Sequence, residues 1–299
     1  MALLRINAHG EHPVPAHGPV PLNQQLATAL GGTGPVIIMV HGFKFSPFEP
    51  SACPHRHIFA LSTYGAKQRS WPTGLGFSGH SSEEGTCIAF GWHARGWIWQ
   101  AVRQSHKAAR ALARLVRQVS RVAPQRPIHL VGHSLGARLC LRALSYLERG
   151  DVARVLLLSA AAFRNEAQHS LRTDAGRSAE FINITSRENR LYDLTFKALL
   201  RPHLPISAPL RAGLRNQPNW VDIPIDRLTT QTHLATLGYA LGPGLCRMCH
   251  WSTYTRAGIF ALYRDLLRAQ PPVPLSQLRT TARARSRHPL LPSRATLSS

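Results

Sequence analysis

The sequence predicts an α/β protein: one domain built on an open, mostly parallel sheet with helices on both faces. Three observations carry that prediction. Short, continuous apolar runs recur at wide spacing along the 299 residues, the pattern of strands buried on both faces. Stretches with helical apolar spacing lie between them, so strand and helix alternate as in βαβ crossovers. One run leads straight into Gly132-His133-Ser134-Leu135-Gly136 and then into a helical stretch, a strand–turn–helix that presents a serine at the edge of a sheet.

In chain order, PVIIMV (35–40) and TCIAF (86–90) are the first two strands. From Trp97 to Val122, the residues Val102, Ala109, Leu112, Val116 and Val119 recur at helical spacing, and Arg103, Lys107, Arg110, Arg114 and Arg117 form the polar face. PIHLV (127–131) is the third strand, and a helix from Leu135 to Leu147 stops before Gly150. VLLLSA (155–160), the more polar EFINITS (180–186) and WVDIPI (220–225) are further strands, and Ala257 to Arg268 is the last helix. Residues 44–82 and 199–219, rich in Pro, Gly, Ser and aromatics, read as long loops. Residues 1–270 form a single domain on this reading. Residues 271–299 hold Pro, Arg and Ser, no acid and no periodicity, and are expected to be a disordered basic tail.

The net charge of +22 raises the question of an anionic partner. Lys44, Lys67, Lys107 and Lys197 are the only lysines. The arginines are scattered, without the basic run or aromatic-interleaved patch of a nucleic-acid groove. Specific nucleic-acid binding is therefore not expected, whereas weak association with anionic surfaces is. No stretch is long and apolar enough for a signal segment or a membrane span, so a cytoplasmic location is expected. The five cysteines, an odd number, fit reduced thiols.

In G-x-S-x-G the glycines let the turn pack tightly, and Ser134 becomes the candidate nucleophile. Gly79-His80-Ser81-Ser82 begins the same way but lacks the closing glycine, and Ser81 is read as structural. Acyl transfer needs oxyanion donors. The N–H of Leu135 is one candidate; the other is the N–H of Phe43, where PVIIMV runs into His41-Gly42-Phe43.

Strand-HGF, then strand-GHSLGA-helix, then a histidine near the C-terminus resembles the α/β-hydrolase superfamily, in the GHSLG form of its lipases and esterases. HGFKFSP and CHWSTYTRAGIFALY look like a bacterial branch of it that has no assigned substrate. The resemblance covers about residues 35–268 and implies an eight-stranded, mostly parallel sheet with triad members in the order Ser, acid, His. His233, His250 and His288 follow the last apolar run. The resemblance places the base at His250, and His233 is second choice. The acid is expected just past EFINITS, with Glu188 first and Asp193 as the alternative, although Asp193 also reads as a helix N-cap. The resemblance would set an Asp near Asn189 or Arg190; an Asn there orients an imidazole without stabilising the imidazolium as a carboxylate does.

Cys246-Arg247-Met248-Cys249-His250 matches the c-type haem spacing, but no export signal accompanies it. A zinc site would need ligands beyond Cys246, Cys249 and His250; Cys53, His55 and His57 lie in a loop without a second C-x-x-C. No metal or cofactor is expected, and the thiols read as incidental to a histidine loop. The expected activity is hydrolysis of a small-molecule carboxylic ester through an acyl-enzyme, with thioester or amide cleavage as alternatives on the same machinery. A hydrolase-like scaffold whose basic tail docks an acidic partner is the non-enzymatic alternative.

Overall fold

A computed structural model describes residues 3–62, 69–79, 84–200, 207–214, 216–244 and 246–283. Ser81, His288 and the chain beyond 283 lie outside the described residues. Among the described residues, eight strands form one sheet in the order β2-β1-β4-β3-β5-β6-β7-β8. They are β1 Leu3–His9, β2 His12–Pro15, β3 Val36–Val40, β4 Thr86–Gly91, β5 Ile128–His133, β6 Arg154–Leu158, β7 Glu180–Thr185 and β8 Trp220–Pro224. Every neighbouring pair is parallel except β1 with β2.

The helices are α1 Leu22–Ala29, α2 Trp71–Gly74, α3 Ile98–Val122, α4 Leu135–Ala143, α5 Arg164–Arg172, α6 Asp174–Ser178, α7 Arg190–Leu200, α8 Leu228–Thr236, α9 Ser252–Thr255, α10 Ile259–Arg268 and α11 Leu275–Arg283. Why the strands are apolar on both faces is visible in β3. Val36, Ile38 and Val40 pack into one core with α3 and α4, whereas Ile37 and Met39 face a second core holding Leu262, Tyr263 and Leu266 of α10. A strand's side chains alternate sides, so helices on both faces require apolar residues at every position.

Two features lie outside the pattern expected from the sequence. The N-terminal β1 and β2 carry no continuous apolar run, because they lie at one edge of the sheet and β2 is only partly covered. The tail expected to be structureless from residue 271 instead begins with α11, which packs against β8 and α8 and buries Leu275 and Leu278. Arg154 anchors the approach to it, donating to the carbonyls of Leu266 and Val273, both at 2.6 Å. Because Leu278 is fully buried, Leu278→Ala should cost about 2–5 kcal/mol, read as a lower urea midpoint at unchanged slope. A loss below about 1 kcal/mol would mean that α11 is not part of the core.

The register of the sheet positions the site. Val40 of β3 pairs with Gly132 of β5, so His41-Gly42-Phe43 and His133-Ser134 leave the sheet side by side. Leu158 of β6 pairs with Ile184 of β7, and Thr185 with Pro224 of β8. These five parallel strands thus open at one edge, the carboxyl edge at which open α/β sheets place their ligands.

Candidate active site

Ser134 stands between β5 and α4 with φ 55° and ψ −120°, a conformation that costs a residue with a side chain about 1–3 kcal/mol. Backbone bonds hold it there. Its N–H donates to Leu158 O at 2.9 Å, and its carbonyl accepts from Ala137 and Ala161, each at 3.1 Å. The glycines are required by close approach. A Cβ on Gly136 would sit 2.3 Å from Val40 O, and one on Gly132 would sit 2.6 Å from Ala137 Cα; any larger residue at either position would push the turn off the sheet.

Leu135 is the first residue of α4, where an N–H has no acceptor inside the helix. Across from it, His41 is fully buried and bonded at both ring nitrogens: Nδ1 to Gly42 O at 2.9 Å, and Nε2 to the N–H of Trp92 at 3.0 Å. Since Nε2 accepts, Nδ1 carries the proton and donates. Burial lowers the His41 pKa to about 3, so the ring is neutral. Gly42 C=O and Phe43 N–H belong to one peptide unit and point opposite ways. By holding the carbonyl, His41 turns the Phe43 N–H away from itself, and this N–H makes no backbone hydrogen bond within the described residues. Gly42 packs so closely on the turn that a Cβ there would lie 2.8 Å from Ser134 Cβ.

His250 reaches the turn from the segment before α9. Its carbonyl accepts from His133 Nε2 at 3.0 Å, and the two imidazole rings lie 4.6 Å apart. His133 is itself buried, its pKa lowered to about 4 by desolvation, and packs edge-on against Tyr254 and Trp71. The residue before Ser134 therefore clasps the loop that carries His250. On its other side, His250 Nδ1 meets Asn189 Oδ1 at 2.5 Å. Desolvation and the nearby His133 hold the His250 pKa well below the usual 6.5.

Neither of the two carboxylates expected to serve as the acid bonds His250 directly. Glu188 does not approach His250: its Oε1 takes Arg256 Nη2 at 2.7 Å, and Arg256 is 2% exposed. A guanidinium that deeply buried requires a counter-charge. Residues 187–189 form a 3-10 turn, in which consecutive side chains point about 120° apart, so the turn that aims Asn189 at His250 aims Glu188 elsewhere. Asp193 is not the N-cap of its helix, because α7 begins at Arg190. It lies one turn beyond Asn189, where its Oδ1 accepts from Asn189 Nδ2 at 2.8 Å and its Oδ2 from Arg211 Nε at 2.8 Å. Burial pushes the Asp193 pKa up to about 7, against the opposing pull of Arg211. His250, Asn189, Asp193 and Arg211 thus form one hydrogen-bonded row, in which Asn189 stands at the place where the resemblance sets an Asp.

The other candidates lie apart from the row. His233 sits on α8 and is bonded through Nε2 to Gln277 O at 3.1 Å, fastening α8 to α11. His55 Nε2 bonds Asn7 Oδ1 at 2.7 Å, and His57 Nε2 bonds Ser51 O. Among the described residues, no group of three or more His, Cys, Asp or Glu side chains is arranged to hold a metal. No helix among them is long and apolar enough to cross a membrane.

No curated protein matches the chain in sequence. Three solved structures show remote likeness. TT1662 from Thermus thermophilus is 14% identical, with a TM-score of 0.37, over 64% of this chain and 79% of that one. A lipase-esterase related protein from Clostridium acetobutylicum is 12% identical, with a TM-score of 0.30, over 58% and 83% of the two chains. The acylaminoacyl peptidase of Pyrococcus horikoshii is 14% identical, with a TM-score of 0.30, over 57% and 31%. Likeness of this degree carries no inference about substrate. The family signal is stronger in sequence: a profile described as "Alpha/beta hydrolase family" matches residues 37–293, a span that begins in β3 and takes in the turn at Ser134, Asn189 and His250. The chain belongs to the alpha/beta hydrolase family.

Proposed function

We propose that the protein is a serine hydrolase that cleaves carboxylic esters through an acyl-enzyme intermediate. The observation that carries the reading is the strained turn at Ser134 with His250 clasped beside it and its Nδ1 engaged by Asn189. An amide oxygen only accepts, so His250 Nδ1 holds the proton and Nε2 keeps its lone pair. That is the tautomer a general base toward serine requires. Nε2 takes the Ser134 proton as Oγ attacks the ester carbonyl, and the N–H groups of Phe43 and Leu135 receive the oxyanion. The imidazolium then protonates the leaving alcohol, and water repeats the sequence on the acyl-enzyme. Tyr192 stacks on His250 at 4.8 Å and Trp251 lies edge-on at 6.4 Å; both stay partly exposed. These rings favour a substrate with an apolar body beside the ester.

Asn189 and Asp193 divide the work of one carboxylate. Asn189 orients the imidazole, and Asp193 fixes the amide so that its oxygen, not its nitrogen, faces His250. The test is a panel of short- to long-chain acyl esters, with a thioester and an amide included, run beside fluorophosphonate labelling. Asn189→Ala should lower kcat/KM by about a hundredfold through loss of orientation. Asn189→Asp should raise it by about tenfold and move the acid limb of the pH profile upward, because a carboxylate stabilises the imidazolium. Glu188→Gln should weaken the pairing with Arg256 and cost stability, yet leave kcat/KM within a few-fold. A large loss confined to the Glu188 variant would restore Glu188 as the third member.

A further inference from the structure

We propose that Cys246 and Cys249 form a thiol–disulfide exchange site that takes low-molecular-weight disulfides, and that closing their disulfide disarms His250. The second half rests on the hydrolase reading above; the thiol chemistry does not.

All five cysteines are free, and Cys246 alone is exposed, whereas Cys53, Cys87, Cys140 and Cys249 are buried. A disulfide in solution therefore meets Cys246 first. Burial pushes the thiols of Cys87 and Cys140 far up, which keeps them unreactive; it raises the Cys249 thiol as well, so Cys249 acts only as the second, resolving thiol on a sulfur held beside it. Cys246 Sγ is folded back over its own turn, 3.0 Å from Met248 O, and its thiol interacts with that of Cys249. An exposed sulfur beside a buried one sets the order of events. The Cys246 thiolate attacks one sulfur of RS–SR, forming Cys246–S–SR and releasing RS⁻. The Cys249 thiolate then attacks the Cys246 sulfur and releases the second RS⁻, so two protein thiols are oxidised and one small disulfide is reduced to two thiols. Cys249, at 5% exposure, is reached by its neighbour and not by solution.

The consequence follows from what the backbone of this segment holds. The Cys249 N–H donates to Glu188 O at 3.1 Å, next to Asn189, and the following residue is His250. Locking residues 246–249 into a closed ring pulls on the two chain segments that must keep Asn189 Oδ1 and His250 Nδ1 in contact. A displacement of about 1 Å at such a contact costs about a hundredfold in rate.

The experiment treats the reduced full-length protein with oxidised glutathione and follows intact mass, peptide mapping and ester turnover together. The expected result is a Cys246–Cys249 disulfide, turnover lower by about a hundredfold, and recovery with dithiothreitol. Cys249→Ser should stop at a glutathione adduct on Cys246. Cys246→Ser should form neither product and keep its turnover under oxidation. Failure to map the disulfide, or a mapped disulfide with unchanged turnover, overturns the proposal. Should the reduced protein cleave no ester at all, the hydrolase reading fails, and the mapped disulfide by itself decides the exchange site.

Discussion

Ser134→Ala should lower ester turnover by about a million-fold and abolish covalent labelling by fluorophosphonates. The loss is so large because, on the proposed mechanism, the hydroxyl is the bond-forming atom, and neither the proposed oxyanion donors nor His250 can replace it. The variant should remain folded. The backbone bonds to Leu158, Ala137 and Ala161 that hold the turn are untouched, and alanine meets the same strain as serine at φ 55°. The sharpest rival is Ser159, also at positive φ, at the end of β6. Its Oγ is engaged with Thr253 Oγ1 at 3.2 Å, and no pair of close-packed glycines flanks it as Gly132 and Gly136 flank Ser134. Label found on a peptide containing Ser159, or turnover surviving in the alanine variant, would remove Ser134 from the mechanism.

His250→Ala should reduce kcat/KM by roughly four to six orders of magnitude, while His233→Ala leaves it unchanged. In the wild-type protein the pH profile should be distinctive. A general base must be unprotonated, and the His250 pKa lies well below 6.5 because burial and His133 disfavour the cation. Turnover should therefore hold steady as pH falls through 6.5, with its acid limb displaced to lower pH. Stability does not hold steady over the same range. Below pH 6.5 the unfolded chain gains protons that the buried His41, His133 and His250 refuse, so the native state loses stability as pH falls. Initial rates separate the two effects. An acid limb at or above 6.5, or full activity in the His250 variant with loss in the His233 variant, would refute the assignment.

The parts of this protein legible in the sequence are those set by short-range sterics and by burial. The runs 35–40, 86–90, 127–131 and 155–160 are apolar at nearly every position because strands covered on both faces have no solvent side, and each became a strand in the sheet. Gly132 and Gly136 were readable because the turn that lifts Ser134 off the sheet leaves no room for a Cβ at either place. The strand β1, next to the edge strand β2, was not readable, since LLRINAH mixes apolar and polar residues and takes its identity from pairing with β4. Nor was α11: its arginines, serine and threonines suggest a solvated tail, and only the surface offered by β8 and α8 gives Leu275 and Leu278 something to pack against.

The sequence by itself determined the fold class, the strained serine between β5 and α4, and a histidine near the C-terminus on a loop rich in thiols. Tertiary structure decided which side chain steadies that histidine. Glu188, Asn189 and Asp193 stand within six residues of one another, and nothing local ranks them. Arg256, 68 residues past Glu188, claims its carboxylate, and Arg211, 18 residues past Asp193, claims another. The phase of the turn at 187–189 then leaves the Asn189 amide facing His250. A buried charge must find its partner wherever the fold brings one, and that competition among residues far apart in the chain exists only once the chain has folded.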